Sequence, residues 1–170
     1  KLRANEDVCF QGMNLVGKGF RVTEVEVREL GYDPKRLPAV IKPHCNARDM
    51  MQGGEHCFLI DLFGLSEEDA RIEHPALYQR LADRVKPERE HNKRDSYRLK
   101  WWLFGEPRGK MRQSMKGLRR FIATPETSKH RVFSFFPLPF APDHKLYAIT
   151  SEDAWVLGVL SSTTHRTWAL

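Results

Sequence analysis

The apolar positions of this chain fall into short runs separated by turn residues, and their period changes along its length. Near the N-terminus two strand-like runs, Val8–Phe10 and Phe20–Thr23, flank a Gly-rich turn. Thr23 then stands where an N-cap belongs, ahead of a short helical pattern over Glu24–Leu30 that Gly31 ends. Pro34 and Pro38 mark a loop, and Val40 and Ile41 lead into Pro43 and a polar turn, HCNARD. The run HCFLIDLFG, bounded by Gly54 and Gly64, has the unbroken apolar character of a buried strand.

From Leu65 to about Arg98 the pattern is helical. Ser66 followed by Glu67, Glu68 and Asp69 gives an N-cap and an acidic first turn. Pro75 opens a second helix through Leu77, Leu81 and Val85, and Pro87 opens a third with Glu88 and Glu90 near its positive end. On that third helix Arg94 and Arg98 fall on one face, while Lys86, Arg89 and Lys93 share another. KWWLFGEPRGK reads as a turn or loop carrying three large aromatics, and Met111–Leu118 as a short helix. The runs RRFIAT, HRVFSFF, KLYAIT and AWVLGVL are strand-like, punctuated by Pro125, Pro137, Pro139 and Pro142, and the final SSTTHRTWAL is helical. This order predicts an α+β fold: a mixed or antiparallel sheet of short strands with a helical insertion over about residues 65–118, not a doubly wound βαβ alternation. A chain of 170 residues is expected to form one domain over 1–170. Lys1 in place of Met and the uncapped final helix read as a piece of a longer protein.

Composition adds little until charge is mapped. Hydrophobic content of 41% and charged content of 29% suit a globular domain. No apolar run approaches the roughly 18 residues of a membrane span, and KLRANEDVCFQG lacks the apolar region of a signal peptide. The charge is uneven. Between Arg84 and Arg131 there are 15 Lys/Arg against 5 Asp/Glu, a local balance of +10 beside a whole-chain charge of +6. Tyr97, Trp101, Trp102, Phe104 and Phe121 are interleaved with those cations. Too few acids are present for salt-bridge lacing to absorb the excess, and the combination is the electrostatic footprint of a nucleic-acid partner. Trp101 and Trp102 suit bracing of this segment better than stacking on bases.

Catalytic chemistry is not legible. Gly12–Gly19, GMNLVGKG, comes close to the phosphate-binding pattern GxxxxGK[ST], but Gly19 replaces the hydroxyl residue and FRVT continues as a strand instead of a helix. A tight turn that brings Lys18 near a backbone phosphate fits better. Neither an F-x-G-x-G nor an NPPY-like methyl-transfer motif is present, and the seven histidines lack Ser or Cys partners at a nucleophile's spacing. Cys9, Cys45 and Cys57 form no CxxC pair and read as reduced thiols; His44–Cys45 and His56–Cys57 do not have the spacing of a zinc site.

Six stretches taken together, FQGMNLVGKGF, IDLFGLSEEDA, VKPEREHNKR, SYRLKWWLFGEPR, ETSKHRVFSFF and GVLSSTTHRTW, resemble the target-recognition domain of DNA methyltransferases. More narrowly, they resemble that domain in MmeI-like single-chain type II restriction–modification enzymes and in adenine methyltransferases with TaqI-like specificity domains. The resemblance implies a parent enzyme whose separate catalytic domain binds S-adenosylmethionine and methylates adenine at its exocyclic amine, in many cases beside a nuclease domain. It implies that this fragment holds no cofactor or metal and does no chemistry of its own. Its partners would be double-stranded DNA and the methyltransferase catalytic domain of the same chain, in a prokaryotic cytoplasm, with the recognition domain choosing the sequence while the catalytic domain flips out the adenine.

The family's paired base readers match Lys129 and Arg131 around His130, with Ser128 beside them. Where relatives carry Glu-x-Arg or Lys-x-Asp this chain carries Lys-x-Arg, and a cation there is expected to read guanine O6 and N7. Thr127 is expected at a phosphate or base, and Lys18, Lys93, Arg94, Arg98, Lys100, Arg108, Lys110 and Arg112 at phosphates. Two other readings of the basic segment remain open: a general RNA- or DNA-binding module, and a protein-interaction domain with an acidic partner.

Overall fold

The computed structural model describes residues 7–53 and 57–169. In chain order the elements begin with β1 (Cys9–Gln11), β2 (Arg21–Thr23), α1 (Glu24–Glu29), β3 (Ile41–Cys45), α2 (Ala47–Gln52) and β4 (Cys57–Ile60). The helices α3 (Glu67–Glu73), α4 (Pro75–Arg84), α5 (Lys86–Glu90), α6 (Asp95–Leu99) and α7 (Gly109–Ser114) follow. The chain closes with β5 (Arg120–Pro125), β6 (Ser134–Pro137), β7 (Ala141–Pro142), β8 (Leu146–Ile149), α8 (Ala154–Ser161) and α9 (Thr163–Ala169). The fold is α+β, as expected, with two groups of short antiparallel strands in place of one sheet. It divides into two compact units, one built from residues 1–12, 45–54 and 108–170, the other from 13–44 and 55–107. The start of the expected HCFLIDLFG strand, Gly54 and His56, lies outside the described residues, as do KLRANE and Leu170.

The first unit is organised by a sheet in the order β1-β8-β5-β6. Its register aligns Cys9 with Ile149, Ile149 with Ile122, and Ile122 with Phe135. Phe121, Ile122, Ala123, Leu146 and Ala148 are buried there. HCNARD, expected as a plain turn, starts α2. Asn46 Oδ1 accepts from the backbone N–H groups of Arg48 at 2.8 Å and Asp49 at 3.0 Å, and the Asp49 carboxylate accepts from the Asn46 N–H at 3.2 Å. An Asn-x-x-Asp capping box thus wins over the turn tendency of the same residues. AWVLGVL, expected as a strand, is helix α8, entered from Asp153. A short apolar run does not distinguish strand from helix by periodicity, and Ala and Leu favour the helix. No residue of α8 is buried; Trp155 is 70% exposed.

In the second unit β2, β4 and β3 lie side by side, all antiparallel, aligning Val22 with Phe58 and Pro43 with Phe58 across the shared strand. The run that Val40 and Ile41 open continues through Pro43 to Cys45. Pro43 sits inside β3, where its fixed φ is compatible with an extended backbone. The other local signals act as read. Thr23 and Glu26 form a reciprocal capping box, with Glu26 N–H donating to Thr23 Oγ1 at 3.2 Å and Thr23 N–H to Glu26 Oε2 at 2.9 Å. Ser66 caps α3 by accepting from Asp69 N–H at 3.1 Å, and Pro75 opens α4. The third expected helix is broken: α5 stops at Glu90, Arg89 C=O accepts from Asn92 N–H at 2.9 Å, and Asn92 Oδ1 accepts from Arg94 N–H at 3.0 Å. That side-chain-to-backbone turn competes with helix continuation. Arg94 therefore precedes α6 instead of sharing one helix face with Arg98, and Arg89 points inward instead of lying beside Lys86 and Lys93. Among the described residues no helix is long and apolar enough to cross a membrane.

At the centre of this unit Arg89 is 1% exposed. It donates through Nε to Val16 C=O at 2.8 Å and through Nη1 to Leu103 C=O at 2.6 Å and Trp101 C=O at 3.2 Å. Its Nη2 donates to Leu15 C=O at 2.5 Å. The Phe20 ring lies 5.1 Å from the guanidinium carbon and the Tyr97 ring 5.8 Å. Burial lowers its pKa to about 10, so it remains a cation at neutral pH. Replacing it orphans several carbonyls at once. Arg89→Leu is expected to cost about 2–5 kcal/mol of folding stability, read as a lower urea midpoint. A midpoint equal to wild type would show that the carbonyls find other donors.

Candidate nucleic-acid interface

The basic segment does not belong to one unit. Residues up to 107 fall in the second and residues from 108 onward in the first, so each group of cations is described separately.

In the second unit the cations cluster around α6, which Tyr97 anchors. Tyr97 is buried, its hydroxyl accepts from Arg94 Nη1 at 2.7 Å and donates to Glu106 Oε1 at 3.3 Å, and the Arg94 guanidinium stacks 5.2 Å from its ring. Arg94 is therefore both a surface cation and part of the anchor. Arg98 donates to Asp95 Oδ1 at 2.6 Å and to Asn92 C=O at 3.3 Å, which fixes its direction while leaving it exposed. Lys93 and Lys100 are exposed, and Lys100 C=O is held by Arg89 at 3.3 Å.

Lys18 opens a 3-10 turn, Lys18–Phe20, that runs directly into β2, so the strand expected after the glycines is present and no α-helix starts at them. Its backbone N–H donates to Glu88 Oε2 at 3.1 Å while its side chain is exposed. Gly19 serves packing: a Cβ there would meet Arg84 Cβ at 2.6 Å and Val85 Cγ2 at 2.8 Å. Trp101, Trp102 and Phe104 are buried, Trp102 Nε1 donates to Leu65 C=O at 3.1 Å, and the two indoles meet edge to face. The tryptophans brace the cluster from inside.

In the first unit Arg108 has a left-handed backbone, φ 56°, just before α7. Its guanidinium turns towards β1, donating to Gly12 C=O at 3.1 Å and to Gln11 Oε1 at 2.8 Å. Lys110 on α7 is exposed and Arg112 is half-buried. Thr127, Ser128, Lys129, His130 and Arg131 all lie in the loop between β5 and β6, with Thr127, Lys129, His130 and Arg131 exposed and the Ser128 hydroxyl donating to His130 C=O. The antiparallel pairing of β5 with β6, Ala123 opposite Ser134, holds the base of that loop.

Three further cations join this unit: Lys116 at the end of the short helical pattern, and Arg119 and Arg120 where the strand pattern begins. All three are exposed. The Arg120 guanidinium stacks 3.7 Å from the Phe135 ring and donates twice to Glu152 C=O, at 2.9 and 3.0 Å. Arg119 N–H donates to Glu152 Oε2 at 3.0 Å, and that backbone bond helps hold the carboxyl below the usual carboxylate range. The cross-strand approach of Arg120 to Phe135 depends on register, which the sequence does not print.

Among the described residues no group of three or more His, Cys, Asp or Glu could hold a metal ion; the expectation that touches His56 lies outside them. No family model and no curated protein matches the sequence. The solved structures do contain a match. The fold is similar to part of a restriction–modification enzyme. This is the Type IIL enzyme MmeI, solved in complex with DNA, with a TM-score of 0.73 and 16% identity. The likeness covers 95% of this chain and 21% of MmeI, so the chain spans about a fifth of that protein's length.

The geometry ties Arg108 into the fold and leaves Lys110 exposed on α7. Arg108→Ala is expected to lower stability by about 1–2 kcal/mol through the loss of its bonds to Gly12 and Gln11, while Lys110→Ala stays within about 0.5 kcal/mol of wild type. Urea unfolding of the two variants checks this; equal midpoints would remove the structural role of Arg108.

Proposed function

We propose that this chain is the duplex-DNA recognition module of a restriction–modification DNA adenine methyltransferase. The likeness of its fold to part of MmeI, an enzyme solved in complex with DNA, is the observation that carries the reading. The cations around α6 and the exposed β5–β6 loop support it in two ways. A duplex presents one phosphate charge about every 1.7 Å of axis, and cations held at a surface bind it by releasing counterions. A loop held at its base by a strand pair offers a short edge that can enter a groove.

In this reading Lys93, Arg98, Lys100, Lys18, Lys110 and Arg112 neutralise phosphates and set register, with Arg94 contributing from its place beside Tyr97. Lys129, His130 and Arg131, with Ser128, read base edges, and Thr127 contacts a phosphate beside them. Methyl transfer belongs to the rest of a longer protein, where S-adenosylmethionine would be held, and this module does no chemistry itself. A prokaryotic cytoplasmic setting goes with that assignment.

Titration of the chain with duplex DNA and with single-stranded RNA at two salt concentrations tests the reading. It predicts salt-sensitive binding that favours the duplex. Equal affinity for RNA would point to a general nucleic-acid binder, and no binding to either would point to an acidic protein partner. Arg131→Ala is expected to cost roughly 1–3 kcal/mol on the preferred sequence and to relax choice at one base pair; an equal loss on every sequence would remove it from base reading. Arg98→Ala should weaken binding to all sequences and flatten the salt dependence. An unchanged salt slope would take Arg98 off the phosphates.

A further inference from the structure

The α6 cluster contains a side chain that phosphate contacts cannot use. Leu99 is 67% exposed although it is apolar and lies between Arg98 and Lys100. On an α-helix, two residues apart means about 200° of rotation, so Leu99 projects nearly opposite to Tyr97. Tyr97 is the buried anchor, and Leu99 is therefore presented outward on a short helix whose other side is fixed. The fixing is thorough: Arg94 and Glu106 hold the Tyr97 hydroxyl, Arg98 is tied to Asp95 and to Asn92 C=O, and Arg89 bonds Lys100 C=O just past the helix.

Single exposed leucines are ordinary on protein surfaces. This one is flanked in sequence by Arg98 and Lys100, both exposed, and Asp95, one turn before it on α6, is already engaged by Arg98. A polyanion drawn to those two cations approaches Leu99 as well. On duplex DNA the apolar surface between phosphates belongs to the bases: the thymine methyl in the major groove, or the faces of a base step that an apolar wedge opens.

We propose that Leu99 is an apolar base contact, carried into a groove of duplex DNA by the cations on either side of it. This rests on the duplex-binding reading above and adds a second contact to bases, on a different unit from the β5–β6 loop. The cations choose a phosphate backbone, and Leu99 makes binding depend on what lies between the phosphates. Its contribution is insensitive to salt because no counterion is released when an apolar group is buried.

The test compares wild type, Leu99→Ala and Leu99→Met on short duplexes. One series carries uracil in place of thymine, and a second carries 2-aminopurine in place of adenine at TA and CA steps. Leu99→Ala is expected to lose about fivefold to tenfold in affinity with its salt slope and melting temperature unchanged, and Leu99→Met to keep most of the affinity. If the contact is a thymine methyl, uracil weakens wild type at one position and leaves Leu99→Ala unaffected. If it is a base step, wild type raises 2-aminopurine fluorescence at one position and Leu99→Ala does not. Wild-type affinity in Leu99→Ala overturns the proposal while leaving duplex binding intact. A change in the salt slope overturns it too, because Leu99 would then act by positioning the cations. Absence of duplex binding by wild type overturns both readings, and capture of an acidic protein through Leu99 in that case assigns the cluster to a protein interface.

Discussion

A guanidinium almost without access to water ties together the parts of the second unit. Among the described residues no carboxylate is bonded to Arg89. Its charge is solvated by backbone carbonyls from residues 15 and 16 on one side and from 100, 101 and 103 on the other. Those carbonyls belong to the stretch before β2 and to the turn after α6, which the isolated Asn14–Glu106 bridge and a few turn bonds satisfy only in part. A buried cation with five donors supplies what secondary structure would otherwise supply. Lysine in its place would offer a point charge without the planar fork that reaches both stretches. The aromatic walls of Phe20 and Tyr97 fit the same role, since a desolvated cation gains from ring faces.

The cations on the surface of the second unit depend on this buried one. The turn that Arg89 holds leads directly out of α6, and α6 presents Arg98 and Leu99. The tryptophans that look in the sequence like stacking platforms are spent on the interior, where Trp102 Nε1 satisfies Leu65 C=O. In the first unit the corresponding support comes from a strand pair and from Glu152, which orients two adjacent arginines through backbone and side-chain bonds together. The basic segment thus rests on two separate scaffolds, and its +10 balance is a property of the sequence before it is a property of any one surface.

Local signals were legible. Thr23 with Glu26, Ser66 with Asp69, and Pro75 each announce a helix start by their own chemistry, and each acts within one turn of chain. Asn46 with Asp49 announces α2 by the same rule and went unread because His44 to Asp49 also looks like a polar turn. The break after α5 hangs on one Asn92 side chain that competes with helix propagation, a contest that helical periodicity does not register. AWVLGVL defeated the reading because neither period dominates in so short an apolar run. Arg89 was illegible for a different reason: a cation in a helical pattern looks like a solvated face until carbonyls from distant stretches are brought to it. Ser128 to Arg131 lie in the β5–β6 loop although HRVFSFF reads as a strand from His130, because the pairing with β5 begins only at Ser134. The sequence could not tell Arg108, turned towards β1, from Lys110, turned to solvent.

The pairing of β1 with β8 joins Cys9 to Ile149, across nearly the whole described chain. During synthesis the second unit has emerged completely by residue 107, while the first still lacks every partner strand of β1. Closing that sheet brings the ends of a long loop together, which is slow compared with the local contacts among α3, α4 and α5. The interleaving therefore lets the unit carrying Arg89 and α6 form before β1 meets β8.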